Sequence, residues 1–155
     1  MDDEAVAQFL AAPKTLVGTL EWVEQRNGTQ VGTVVVAIEA ISVGQVLAVI
    51  LPVRERRWTF KLTSGPHKTL EWHFVPEGEP RRHRNRKPIP EGFPAVDRAQ
   101  EHEHLWVAGQ KLSRPVLGLA SATHREVFQA FCVRANITPG DSYTQPSEVQ
   151  LTLRP

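Results

Sequence analysis

From Leu16 to Val75 the hydrophobic period is two, and that property decides most of what this chain can fold into. Leu16, Gly18, Leu20 and Trp22 alternate with Val17, Thr19, Glu21 and Val23, the pattern of a strand with one face buried. Asn27-Gly28 then supplies the strongest short-range hairpin signal, because both residues accept the positive φ that a tight two-residue turn needs. The return strand, residues 30–40, is rich in β-branched side chains and apolar on both faces through Ile38, which places it centrally. After a turn at Ser42-Val43-Gly44, residues 46–53 read as another apolar strand. Trp58, Phe60 and Leu62 alternate with polar residues, as do Leu70, Trp72 and Phe74 beyond a turn at residues 64–67. These two strands are expected to pair as a hairpin, with Trp and Phe on a common core face, within an antiparallel meander.

Two helices frame the strands. Residues 3–12 read as a short helix capped by Asp2 or Asp3 and stopped by Pro13. Thr123-His124-Arg125-Glu126 fits a capping box, and Val127, Phe128, Phe131 and Cys132 follow as one apolar face, with Asn136 as terminator. Strands are expected at residues 101–108, more loosely at 112–119, and as an edge at Val149, Leu151 and Leu153. The expected fold is therefore one α+β domain over residues 1–155. A curved antiparallel sheet of about six to seven strands packs against one helix of the C-terminal half, with a short N-terminal helix. A length of 155 residues suffices for a core without metal or disulfide support. The single cysteine, Cys132, excludes an internal disulfide and is expected to be a small buried side chain. No apolar run approaches the roughly 20 residues of a membrane helix, and the start Met1-Asp2-Asp3-Glu4 is unlike a signal peptide, so the expected location is the cytoplasm.

Residues 76–100 break the pattern. Pro76, Pro80, Pro88, Pro90 and Pro94, with Gly78 and Gly92, read as a long Pro/Arg-rich loop, and structureless loops of such length usually carry function. The formal net charge of +1 conceals an asymmetry here. Between Arg54 and Lys87 ten basic side chains face four acidic ones, whereas the rest of the chain has eight basic and thirteen acidic. A basic region on an otherwise acidic body attracts phosphates or an acidic partner. Arg81, Arg82, Arg84, Asn85, Arg86 and Lys87 in the loop, with Arg56 and Arg57 upstream, are the candidate nucleic-acid contacts.

The loop is bracketed by histidines. His73 ends the strand that feeds it, His83 lies inside the polycationic run, and Glu101-His102-Glu103-His104 enters the strand that follows. On a strand His102 and His104 project from one face and Glu101 and Glu103 from the other. Two imidazoles so placed can serve as general acid and base, can ligate a metal, or can be strand residues with no chemistry. A metal would need further ligands. Cupin-type barrels, which also carry His-x-His on a strand, place a Glu four or five residues after the second His. Val107, Ala108 and Gly109 occupy that region here, so cupin roles are not carried over.

His83-x-Asn85, a Pro/Gly-containing spacer, and His102-x-His104 with the aromatic Trp106 resemble, over residues 70–137, a family of small uncharacterised bacterial proteins. That family shares a His-x-Asn…Gly…His-x-His-x-aromatic core followed by a helix. Similar His-bearing sheets occur in small toxins of bacterial toxin–antitoxin systems, and the resemblance implies a toxin-like nuclease. The leading expectation is a small protein that engages nucleic acid, RNA above other kinds, through the basic loop. His102 and His104 would act as a metal-independent ribonucleolytic pair needing no cofactor, with His83 or His73 in reserve. The alternatives are a non-enzymatic module whose basic loop docks an acidic protein such as an antitoxin, and a His-x-His metal-binding protein.

Overall fold

The structure, a computed structural model, describes residues 2–50, 57–74, 83–97, 101–107, 110–119 and 121–146. Helix α1 (Asp3–Ala11) starts at Asp2, whose carboxylate accepts from the Ala5 amide, and gives way to strand β1 (Lys14–Glu24). The Lys14 ammonium is buried beneath the end of α1 and donates to the carbonyls of Phe9, Leu10 and Ala12, satisfying acceptors that the helix terminus leaves open. Burial pushes the Lys14 pKa down to about 8.

Five strands then run as a meander: β1, β2 (Gln30–Ile38), β3 (Ile41–Ile50), β4 (Trp58–Ser64) and β5 (His67–Phe74). A turn at Asn27-Gly28 joins the first pair where expected, but it is longer than two residues. Only Gly28 has positive φ (78°), the Gly28 amide donates to the Gln25 carbonyl, and the Gln25 amide donates to the Thr29 carbonyl. The second hairpin departs from expectation. Its turn lies at Glu39-Ala40, both with positive φ (48° and 66°), so β2 ends at Ile38 and β3 begins at Ile41 rather than beyond Gly44. Neither residue is a conventional left-handed turn former, and the pairing of the long flanking strands imposes the turn. In β1 the register shifts between Val17 and Glu21 around Gly18, whose φ of 85° only glycine adopts without strain. Three β1 residues there oppose the single Val34, and an insertion of even number keeps Leu16, Leu20 and Trp22 on the core side.

The main sheet has eight strands in the order β10-β1-β2-β3-β4-β5-β8-β9, more than the six to seven expected. Strand β8 (His102–Val107) pairs antiparallel with β5, and β9 (Gln110–Pro115) forms the edge beyond it. Helix α2 (His124–Arg134) then crosses the sheet and delivers β10 (Ile137–Thr138) to the opposite edge, parallel to β1. Its capping box is present in both halves, and Asn136, with φ 53°, follows its last turn. The expected strand at Val149, Leu151 and Leu153 lies outside the described residues.

The core lies between α2 and one face of the sheet. Phe60, Leu62, Leu70, Trp72 and Phe74 from β4 and β5 meet Val127, Phe128, Phe131 and Cys132, all fully or almost fully buried. Cys132 is a packing residue whose thiol burial pushes up to about 12. Also on this side the buried Glu103 carboxylate accepts from Trp72 Nε1 at 2.9 Å and from Arg134 at 3.0 and 3.1 Å, and pairs with Arg114. Burial pushes its carboxyl up, but Arg134, Trp72 and Arg114 outweigh this and hold it below the usual carboxylate range. Among the described residues no helix is long and apolar enough to cross a membrane.

Residues 83–97, expected to be structureless loop, fold as a hairpin. Its strands β6 (His83–Arg84) and β7 (Val96–Asp97) pair antiparallel. The hairpin leans on β9 at Ser113. The Asn85 amide donates to the Ser113 and Pro94 carbonyls at 2.7 and 2.6 Å, and its oxygen accepts from the Ser113 amide at 2.7 Å. One side chain thus behaves as a strand partner for an otherwise open sheet edge. Ser113 Oγ completes the joint by donating to the buried Asp97 carboxylate at 2.6 Å.

Candidate metal centre

The site occupies the sheet face opposite α2. In antiparallel pairing, residues directly opposite one another project from the same side. The register sets His73 against His102 and Glu71 against His104, and on the next strand His104 lies against Ser113. Trp72 and Glu103, also opposite one another, face the core, so Glu103 turns away from the two histidines as its sequence parity predicts.

Four imidazoles meet on this face. The rings of His102 and His104 have centroids 4.8 Å apart, and His73 stacks on His102 at 5.1 Å and meets His104 edge-on at 5.1 Å. From above, the β6–β7 hairpin brings His83 to 4.2 Å from His102 and 5.0 Å from His104. One ligand-capable nitrogen from each of His73, His102 and His104 lies within 4.8 Å of the other two. His102 and His104 are buried, at 3% and 4% exposure, and His73 is half-buried. His104 Nδ1 is buried with no hydrogen-bond partner among the described residues. A buried polar atom left so is uncommon and calls for an explanation such as an ion.

The surroundings orient the His73 ring and hold His104 neutral. Thr59 Oγ1 lies 3.2 Å from His73 Nδ1, and Glu71 Oε1 lies 3.4 Å from His73 Nε2. The same carboxylate accepts from Lys111 at 2.9 Å and pairs with Lys61 at 3.2 Å. Burial pushes Glu71 up, yet His73 and Lys111 together hold it well below the usual carboxylate range. His104 is pushed down to about 3, first by burial and then by Lys111 and the neighbouring His102, His73 and His83. An imidazole held neutral at physiological pH is a poor general acid and a good metal ligand.

A pocket of about 140 Å³ opens beside the cluster, lined by His83, Arg84, Asn85, His104, Lys111 and Ser113. The structure therefore brings His83, His102 and His104 together and adds His73. Of the expected nucleic-acid contacts, Arg84, Arg86 and Lys87 are exposed on the hairpin. Asn85 is buried and turned inward on Ser113 and Pro94, which makes it the tether of the hairpin. Arg57 is half-buried immediately before β4 and does not line the pocket. Arg56, Arg81 and Arg82 lie outside the described residues.

Glu71 and Lys111 were not singled out in the sequence. The signal for Glu71 was its parity with His73 on β5, which becomes informative only once β5 is paired with β8. The remaining histidines stand apart. His67 is exposed at the β4–β5 turn, and His124 is enclosed by Trp22, Trp58, Phe60 and Tyr143. Compared with protein-family models, curated proteins and solved structures, the chain matches none.

Proposed function

We propose that this protein binds one divalent first-row transition-metal ion, of the zinc class, through His73, His102 and His104. His83 stands over the ion, and the centre serves hydrolytic chemistry. The observation that carries the reading is the convergence of three ligand-capable nitrogens within 4.8 Å on a buried face. Zinc–nitrogen bonds of about 2.0–2.1 Å place tetrahedral ligand atoms about 3.3 Å apart, so the three nitrogens would draw together from separations of up to 4.8 Å on holding an ion. Imidazoles suit zinc, copper, iron or nickel, and three protein ligands leave a position where a bound water becomes a strong nucleophile near neutral pH. Glu71, itself balanced by Lys61 and Lys111, is placed to orient His73 from outside the ligand set. The ligand that the His-x-His pair lacks downstream would come from β5, on the other side of the β6–β7 hairpin in sequence.

This reading takes precedence over a metal-free histidine pair, because a third imidazole nitrogen converges on the pair and His104, held neutral by burial, is a poor proton donor. Engagement of nucleic acid stands beside it as a second reading, favoured by the exposure of Arg84, Arg86 and Lys87 on the hairpin that carries His83. Metal analysis of protein purified without a histidine tag tests the first: about one equivalent is expected in the parent, with loss in His102→Ala and His104→Ala. Less than about a tenth of an equivalent after incubation with zinc overturns it. Fluorescence anisotropy with a single-stranded RNA at two salt concentrations tests the second, which requires binding that weakens steeply as salt rises.

A further inference from the structure

The geometry points to an oxyanion site beside the metal: the pocket formed by His83, Arg84, His104 and Lys111 receives a phosphoryl group, so the substrate class is a phosphate ester. This inference rests on the metal reading above. Its first support is size. The pocket has a volume of about 140 Å³, below the ~300 Å³ at which pockets begin to enclose whole organic ligands. It therefore admits a small polar group while the rest of the molecule stays outside.

The second support is charge. Around the cluster Lys61 and Lys111 share the single Glu71 carboxylate, and Arg84 adds a further cation among the residues lining the pocket. Glu71 engages Lys61, Lys111 and the His73 ring, while Asp97 accepts from Ser113 Oγ. Among the described residues no carboxylate pairs with Arg84, and none lines the pocket. A divalent ion raises the local positive charge further. The third support is placement. His83 and His104 belong both to the cluster and to the pocket wall, so an anion in the pocket lies next to the ion. Arg84 and Lys111 are the two always-cationic residues among those lining the pocket, and guanidinium and ammonium groups both recognise phosphate oxygens. Ser113 and Asn85 are engaged with one another and form a rigid floor. In the reaction this arrangement serves, water adds to phosphorus and the phosphorus–oxygen ester bond breaks. The leaving oxygen takes a proton, with no redox partner required.

Cobalt(II)-loaded protein tests both layers in one cuvette. The parent is expected to show visible d–d bands of low-coordinate cobalt, and inorganic phosphate is expected to shift them saturably. Arg84→Ala should keep the bands and weaken phosphate binding about tenfold, the loss of one charge-assisted contact. Lys111→Gln should weaken it similarly. Dimethyl phosphate and a dinucleotide, run beside inorganic phosphate, distinguish a terminal phosphate from an internal diester as the source of the group. Bands that ignore all three anions, or an Arg84→Ala response equal to the parent's, overturn the oxyanion site and leave the metal reading standing. Absence of d–d bands in the parent overturns the metal reading, and the oxyanion site with it.

Discussion

Strands β5 and β8 bury ionisable residues on both of their faces, and the two faces treat them in opposite ways. Toward α2, Glu103 sits at 3% exposure with its carboxylate engaged by Trp72, Arg114 and Arg134. On the reverse, His104 sits at 4% exposure and its Nδ1 has no partner among the described residues. Burial is nearly equal, so burial does not separate structure from site. Within this pair satisfaction does: the Glu103 carboxylate is filled from within, whereas His104 Nδ1 is left open on a face crowded with imidazoles. The covering elements differ accordingly. Helix α2 seals its face with Val127, Phe128 and Phe131, while the β6–β7 hairpin touches the edge strand through Asn85 and Asp97 and leaves a pocket at its side.

Substitutions on the two faces can break or sharpen this contrast. The largest effect belongs to the helical face: Phe131→Ala should lower unfolding free energy by about 3–5 kcal/mol in urea titrations while leaving metal stoichiometry per folded molecule unchanged. Glu103→Gln should cost about 3 kcal/mol, because it leaves two arginines against a core that was built around a carboxylate. The matching change across the sheet, Glu71→Gln, should cost about as much, since Glu71 is equally buried and its two lysines are exposed to much the same degree as the arginines of Glu103. It should also weaken metal binding about 10- to 100-fold in a chelator competition. A Glu103→Gln variant that weakens metal binding as much as Glu71→Gln does would remove the distinction between the faces. Asn85→Ala deletes the hairpin's tether and should cost about 1–3 kcal/mol, with faster amide exchange at Ser113 as the local readout.

The remaining effect is a slope in pH. His124, on neither face of the metal cluster, has its pKa pushed down by burial from 6.5 to about 4. The unfolded chain therefore binds a proton that the folded one refuses. Its contribution to stability is unpenalised above about pH 6.5 and is progressively lost as pH falls toward 4. His124→Gln should flatten urea midpoints across that window relative to the parent.

Much of the fold was legible because period and parity are local. The alternation at Trp58, Phe60, Leu70 and Trp72, the Asn27-Gly28 turn and the capping box at Thr123 each announce themselves within a few residues. The parity that sets His102 and His104 on one side and Glu103 on the other is equally local. The turn at Glu39-Ala40 was not legible, because its residues carry no turn preference and the strand pairing on either side imposes it. Nor could the site be assembled from the sequence. Joining His73 to His102 requires knowing that β5 pairs with β8 across an inserted hairpin. Placing His83 over them requires that Asn85, one more polar residue in a basic run, folds inward to bind the backbone of Ser113.

The most direct test of the metal centre is an anomalous difference map at the zinc absorption edge, from crystals equilibrated with zinc near equimolar concentration. The account predicts one dominant peak bounded by His73, His102 and His104, about 2.0–2.1 Å from a nitrogen of each. A map with no density there, or with its zinc bound only at His67 or another exposed side chain, would contradict it.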